Sequence, residues 1–323
     1  MKSIIFTHSD SDGICSGALA LAANRDSPVF FTNAVAILSD IEQARGFDRV
    51  IICDIAINIP VSKKLKAKID EISEESEVIY IDHHPLPEGF DAPWLISDVT
   101  ASASELTFYH FKNDLDPNMS RVALYGAIGD YRDNTDRVCD LVSDWDKRSL
   151  YYQAGTLSQG MEVGRRDYDF KRDIVRLLSV NTLPSEIPVL AKNAIISARK
   201  ENELRVMVER DVIRMKNFSY MLNPNGCMSK AAIYARVYGR TTVGLAAEYR
   251  EHKDVYDISV RAKCCPVDKP NINLNLIISR LTENYGGSGG GHPLAAGGRV
   301  PASAFKEFLL ELDSAVGEAL GNK

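Results

Sequence analysis

Val78-Ile79-Tyr80-Ile81-Asp82-His83-His84 decides the fold. Four β-branched or aromatic residues read as a short buried strand, and the run stops abruptly on an acid and two imidazoles. The same pattern occurs twice upstream. Lys2–Thr7 is a strand-like run followed by His8-Ser9-Asp10-Ser11-Asp12-Gly13, and Arg49–Cys53 is another, followed by Asp54. Between them Gly13–Ala23, small and apolar, and Val61–Ile72, with Lys-rich and apolar faces at helical spacing, read as helices. Val29–Thr32 adds a strand, and Trp94–Ile96 adds an edge strand. Ala103–Phe111 and Asn118–Ile128 read as helices, the second delivering Asp130. Strands alternating with helices predict an α/β domain with a parallel sheet.

A chain of 323 residues suits about two domains. From Trp145 to Lys200 the pattern is helical and charged, with a break at Leu183-Pro184-Ser185-Glu186. Beyond it Leu204–Glu209, Thr241–Tyr249 and Val255–Arg261 read as strands, and Ser229–Val237, Ile272–Glu283 and Ala302–Leu320 as helices. The expected organisation is a metal-binding domain over 1–185, a connecting helix over 186–203 and a smaller α/β domain over 204–323. From Arg205 onward the chain carries 16 Lys and Arg against 12 Asp and Glu, whereas the preceding residues carry 22 against 32. An acidic first part and a mildly basic second part fit metal binding in one and anionic substrate binding in the other.

No apolar run approaches the roughly 20 residues that span a bilayer, and Met1–Thr7 lacks the form of a signal peptide. Cys15, Cys53, Cys139, Cys227, Cys264 and Cys265 contain no C-x-x-C pair. Reduced thiols filling core positions, a cytoplasmic location and no membrane partner are therefore expected.

In open α/β sheets ligands bind beyond the carboxyl ends of the strands. Three strand ends here deliver acid and imidazole to one rim. Carboxylates crowded in a dry cleft repel one another, and divalent cations relieve that repulsion. Mixed Asp/His ligation suits Mn²⁺, with Mg²⁺, Co²⁺ or Zn²⁺ as alternatives. Taken singly, Asp54 reads as a helix N-cap, Asp130 as a polar helix end and His8–Gly13 as a solvated turn. Their conjunction at successive strand ends points to a two-metal hydrolytic site. His110 and His252 have no such setting and read as structural or surface residues.

Gly286-Gly287-Ser288-Gly289-Gly290-Gly291-His292-Pro293 reads as a loop between a helix and a strand. Glycine lets backbone N–H groups approach a phosphate, and His292 adds a donor. No Lys-Ser/Thr pair follows, so this is not a Walker A loop. Arg261, at the end of Val255–Val260, suits bidentate phosphate binding; Arg299 is a weaker candidate of the same kind.

Together these motifs resemble the DHH phosphoesterase superfamily, over nearly the whole chain. Asp82-His83-His84 is its triplet, His8-x-Asp10-x-Asp12-Gly13 resembles its first motif, Asp54 its second and Gly129-Asp130 its fourth. Gly289-Gly290-Gly291-His292-Pro293-x-Ala295-Ala296-Gly297 resembles the DHH-associated C-terminal domain. The short His8-x-Asp10 spacing is similar to RecJ-like exonucleases, archaeal ones in particular, rather than to the longer spacing of bacterial nanoRNase-type members. The resemblance implies two domains facing a cleft and two Mn²⁺ ions, with Mg²⁺ or Co²⁺ as substitutes. It implies His8, Asp10, Asp12, Asp54, His83 and Asp130 as ligands, with Asp54 as the bridge. It further implies Asp82, His83 and His84 as the catalytic triplet, His84 facing the substrate, and Arg261, Gly290, Gly291 and His292 as substrate contacts.

The function so implied is hydrolysis of single-stranded DNA or RNA, or of short oligonucleotides, from an end to nucleoside monophosphates by a two-metal-activated hydroxide. A small-nucleotide phosphatase acting on a 3′-phosphoadenosine 5′-phosphate-like substrate is the alternative. A catalytically weak scaffold in a replication complex is another. A replication-protein partner and a homodimer are both compatible with the sequence.

Overall fold

The computed structural model describes residues 1–164, 166–263 and 272–321. Cys264 and Cys265, expected in the core, lie outside the described residues. Two compact units are formed, Met1–Ser197 and Ala198–Lys323.

The first unit contains β1 (Ser3–Thr7), α1 (Ser11–Ala23), β2 (Val29–Phe31), α2 (Ile37–Asp40), β3 (Arg49–Cys53), α3 (Ser62–Ser73), β4 (Glu77–Asp82), β5 (Leu95–Ser97), α4 (Ala103–His110), α5 (Ser120–Gly129), α6 (Asp136–Ser143), α7 (Lys147–Val163) and α8 (Tyr168–Ser179). The division between units falls inside α9 (Pro188–Asp211). The five strands pair in parallel, in the order β2-β1-β3-β4-β5.

Both faces of this sheet are covered, so its strands are continuous apolar runs rather than alternating ones. The period of two still sorts their side chains. Ile5, Ile51, Cys53, Ile79 and Ile81 pack with Ile14 and Leu19 of α1, Leu106 of α4 and Val122 of α5. Ile4, Phe6, Val50, Ile52, Val78 and Tyr80 pack with Ile37, Leu65 and Ile69 of α2 and α3. Because β2 and β3 flank β1 on opposite sides, the order reverses between β1 and β3. This is the switch point at which such sheets open a crevice at their carboxyl ends. His8–Asp12 leaves β1 there and Asp54 leaves β3.

The second unit adds β6 (Ile213–Arg214), β7 (Phe218–Leu222), α10 (Met228–Tyr238), β8 (Val243–Arg250), β9 (Val255–Ala262), α11 (Leu274–Asn284), β10 (Ser288–His292), β11 (Ala295–Pro301) and α12 (Phe305–Ala319). Its sheet order is β10-β11-β9-β8-β7-β6, antiparallel except between β7 and β8. Leu274, Ile278, Phe308 and Leu312 of α11 and α12 pack on one face. Ala231, Ala232 and Ala235 of α10 pack with Ala246 on the other.

Several expectations are corrected. Leu204–Glu209 is the end of α9, not a strand; Leu204 and Val208 are buried at helical spacing. The strands β6 and β7 have no counterpart in the sequence reading. The glycine stretch is the edge strand β10 rather than a loop. Cys15 and Cys53 are buried, but Cys139 is exposed and Cys227 half-buried, so these two are not core residues. Among the described residues no helix is long and apolar enough to cross a membrane.

Gly126 lets α5 close on α1 and α4. A Cβ there would lie 2.2 Å from Ser104 Oγ and 2.7 Å from Asp12 Oδ1. Gly126→Ala is expected to destabilise by about 1–3 kcal/mol through overpacking. Gly155→Ala, on the exposed side of α7, where an added Cβ would meet no described atom within 4 Å beyond its chain neighbours and the helix's own backbone, is expected to stabilise by up to about 1 kcal/mol. Shifts of the unfolding midpoint in opposite directions support this packing; equal shifts contradict it.

Candidate metal centre

Each strand end at the switch point is shaped locally. Asp10 caps α1, accepting the Gly13 N–H at 3.0 Å, and its Oδ2 lies 2.8 Å from His8 Nδ1. Asp12, buried in the first turn of α1, accepts the Ala103 and Ser104 N–H groups at 2.7 and 3.0 Å. These are the first amides of α4, where the helix dipole favours an anion. Asp54 takes a left-handed backbone (φ 58°), a conformation that Asp adopts more readily than most residues. Its N–H donates to Ile81 O at 2.9 Å, tying the end of β3 to β4.

From that turn the two oxygens of Asp54 face different partners. Oδ2 lies 3.8 Å from His8 Nδ1, and Oδ1 lies 3.4 Å from His83 Nε2. His83 Nδ1 lies 3.0 Å from Ala101 O. A proton on Nδ1 donated to that carbonyl leaves Nε2 as the nitrogen that could ligate a cation. Nε2 also lies 3.8 Å from Asp12 Oδ2 and 3.7 Å from Asp130 Oδ2. Asp130 caps the C-terminal end of α5, where the dipole disfavours an anion. Arg132 Nε stands 3.8 Å from it. His84 Nδ1 is held by Asp82 Oδ1 at 2.7 Å.

Among the described residues three sets of donor atoms are close enough to hold a cation: His8, Asp10 and Asp54; Asp12, His83 and Asp130; and Asp54, His83 and His84. Asp54 links the first set to the other His83-containing atoms. Asp12, Asp54, Asp82 and His83 form a buried floor, and His8, Asp10, His84 and Asp130 an accessible rim.

The electrostatics match this picture. Burial, then Asp10, Asp12 and Asp82, push the Asp54 carboxyl well above the usual range. Burial, then Asp12 and Asp10, push Asp130 up to about 7. The charge of Asp10 raises His8, burial lowers His83, and against burial the Asp82 hydrogen bond raises His84. Among the described residues, Asp54 Oδ2 and Asp82 Oδ2 are buried without a hydrogen-bond partner. Oxygen and imidazole donors around an orphaned carboxylate oxygen fit a divalent cation.

The first unit thus brings together His8, Asp10, Asp12, Asp54, His83, His84 and Asp130. Asp82 stands behind them and orients His84. The remaining expected residues lie in the second unit. Register places His292 opposite Ala295 and Ala295 opposite Arg261, so Arg261 and His292 share one face two strands apart. Gly291 (φ 145°) donates its N–H to Asn275 Oδ1 at 2.9 Å, so that amide is engaged within the unit. Gly290 pairs with Gly297 in the sheet. Arg299 is held by Asp257 at 2.8 Å.

Sequence reasoning missed Ala101, Ala103 and Ser104, which act through backbone atoms that no residue type announces. It also missed Arg132, and Lys171, whose Nζ donates to Ser9 O at 2.6 Å. Lys171 did leave a signal: it interrupts the apolar stripe of Ile174, Val175 and Leu178 on α8.

A parallel sheet with this acid and imidazole crown defines an α/β protein with candidate metal-binding groups at its switch point. Residues 2–129 match the DHH family N-terminal domain and residues 221–318 the DHHA1 domain, and the chain belongs to the DHH phosphoesterase superfamily. Residues 130–220 fall in neither match. An uncharacterized protein of Methanocaldococcus jannaschii is 26% identical over 246 residues, 74% of this chain and 64% of that protein. The chain therefore aligns to less than two thirds of this curated relative's length. Among solved structures, the DHH domain of a member of a ribosomal-protein family is similar with a TM-score of 0.70 and 17% identity, over 98% of this chain and 86% of that one. The pGpG-specific phosphodiesterase PggH of Vibrio cholerae is similar with a TM-score of 0.63 and 15% identity, over 99% and 100%. Exonuclease RecJ bound to manganese is similar with a TM-score of 0.62 and 15% identity, over 98% and 90%. These are likenesses of fold.

Because Asp130 is pushed up to about 7, it keeps a proton below that pH, and a cation must displace it. Mn²⁺ affinity should rise from pH 6 to 8, by up to about tenfold per unit below 7 for one displaced proton. The raised pKa also means that the metal-free fold loses the protonated carboxyl's contribution as pH rises through 7. The gain in unfolding temperature on adding Mn²⁺ should thus be larger at pH 8 than at pH 6, and Asp130→Asn should lessen both trends, leaving the part that the raised His8 and Asp54 contribute. Affinity independent of pH over this range contradicts the assignment.

Proposed function

We propose that this chain is a Mn²⁺-dependent phosphodiesterase that hydrolyses single-stranded nucleic acid or short oligonucleotides from an end, releasing nucleoside monophosphates. The observation that carries the reading is the carboxylate of Asp54, with one oxygen toward His8 and the other toward His83. In this reading His8, Asp10 and Asp54 would hold one ion and Asp12, His83 and Asp130 a second, with Asp54 next to both sets. When bound, the pair of ions supplies an activated water and neutralises phosphate charge.

The protein does the rest. Asp82 fixes the His84 ring on the accessible rim, and the raised His84 can hold a proton there for a phosphate oxygen or a leaving group. In the second unit the guanidinium of Arg261 and the imidazole of His292, on one sheet face, form an anion-binding row. Arg261 Nη1 donates to Val260 O at 2.9 Å, which sets the orientation of its fork. That structural neighbours include an exonuclease and a pGpG-specific phosphodiesterase supports a nucleotide phosphodiester as the substrate.

The test is a substrate panel with Mn²⁺: labelled 2–5-mer RNA and DNA, long single strands blocked at either end, and a 3′-phosphorylated nucleotide. End-dependent release of monophosphates is expected, reduced to background in Asp54→Ala. Arg261→Lys is expected to raise KM about tenfold with kcat largely kept, since the planar fork is lost but the charge remains. Wild-type turnover in folded Asp54→Ala contradicts the two-ion reading. Cleavage of the 3′-phosphorylated nucleotide alone favours the small-nucleotide phosphatase instead.

A further inference from the structure

The loop carrying the first three ligands is gripped from outside the sheet. His8, Asp10 and Asp12 alternate with Ser9 and Ser11, and the two serines are the points at which α7 and α8 hold the loop. Lys171 of α8, only 4% exposed, donates from Nζ to Ser9 O at 2.6 Å. Ser158 of α7 shares a hydrogen bond with Ser11, Oγ to Oγ 2.8 Å. Gly129 leaves room for this contact, since a Cβ there would lie 2.5 Å from Ser11 Cβ.

Lys171 is an expensive residue for its position. It lies on the buried face of α8 with Ile174, Val175 and Leu178, where a leucine or methionine would pack without the cost of desolvating an ammonium. Its ammonium is aimed at the loop that carries His8, Asp10 and Asp12: it binds the Ser9 carbonyl between the first two, and its charge acts on His8. Both helices lie in the segment outside the two family matches, whereas Ser9, Ser11 and Gly129 lie within residues 2–129.

Resting on the metal-site reading, we propose that Lys171, assisted by Ser158, is a positioning residue of the metal centre. It fixes the Ser9 peptide so that His8 and Asp10 present their donor atoms before a cation arrives. Ordering the loop in advance removes that cost from ion binding.

Mn²⁺ titration of the full chain, read by calorimetry and electron paramagnetic resonance, tests this with Lys171→Met, Lys171→Arg and Ser158→Ala. Lys171→Met should weaken binding of one ion by about 10–100-fold, as loss of a ligand-orienting partner does, while the metal-free protein keeps its unfolding midpoint. Lys171→Arg should restore part of the affinity, and Ser158→Ala should show a smaller loss in the same direction. A lowered midpoint with unchanged Mn²⁺ affinity in Lys171→Met would mark the lysine as structural and overturn the proposal. Should Lys171→Met not fold, unchanged affinity in both Lys171→Arg and Ser158→Ala overturns it equally. Wild-type protein that binds no Mn²⁺ overturns the metal reading itself, and this proposal with it.

Discussion

The buried carboxylate of Asp54 is the constraint around which the first unit is arranged. It stands at the switch point of the sheet, with Asp10, Asp12 and Asp82 all acting to raise its pKa. Two like charges 4 Å apart repel by about 4 kcal/mol at an effective dielectric of 20. The chain relieves this only in part. Asp10 lies at the amino end of α1, Asp12 accepts the first amides of α4, and Arg132 stands near Asp130. Among the described residues Asp54 Oδ2 is still left without a hydrogen-bond partner. A divalent cation is the simplest group that satisfies an orphaned oxygen and the surrounding charge together.

The fold explains why these residues can meet at all. In a parallel sheet every strand ends on the same side, so residues 8–12, 54 and 82–84 arrive on one rim although far apart in sequence. Helix ends then complete the set from above: α4 by its amino end, α5 by its carboxyl end at Asp130. The second unit uses a different device. There the antiparallel register aligns Arg261 and His292 across β9, β11 and β10 as members of one row, a placement that depends on strand pairing rather than strand ends.

Much of this was legible in the sequence because the relevant signals are local. Apolar runs that stop on Asp or His mark β1, β3 and β4, and the parallel α/β architecture follows from the alternation. The missed parts have physical reasons. Leu204 and Val208 belong to a helix, but a short apolar segment does not by itself distinguish helix from strand. Glycine weakens strands, so Ser288–His292 read as a loop; pairing with β11 and the side chains of Asn275 and Ser279 hold it extended. The carbonyl of Ala101 and the amides of Ala103 and Ser104 carry no residue signature. Lys171 and Ser158 reach the ligand loop from 162 and 147 residues away, which only the tertiary fold reveals.

The central claim is that one carboxylate is shared between two cation sites, and electron paramagnetic resonance of the Mn²⁺-loaded protein tests it most directly. A shared Asp54 predicts two ions per chain with an exchange-coupled spectrum, collapsing in Asp54→Asn to an uncoupled signal with reduced occupancy. Two uncoupled ions in the wild-type protein, or a coupled pair that survives Asp54→Asn, would contradict it.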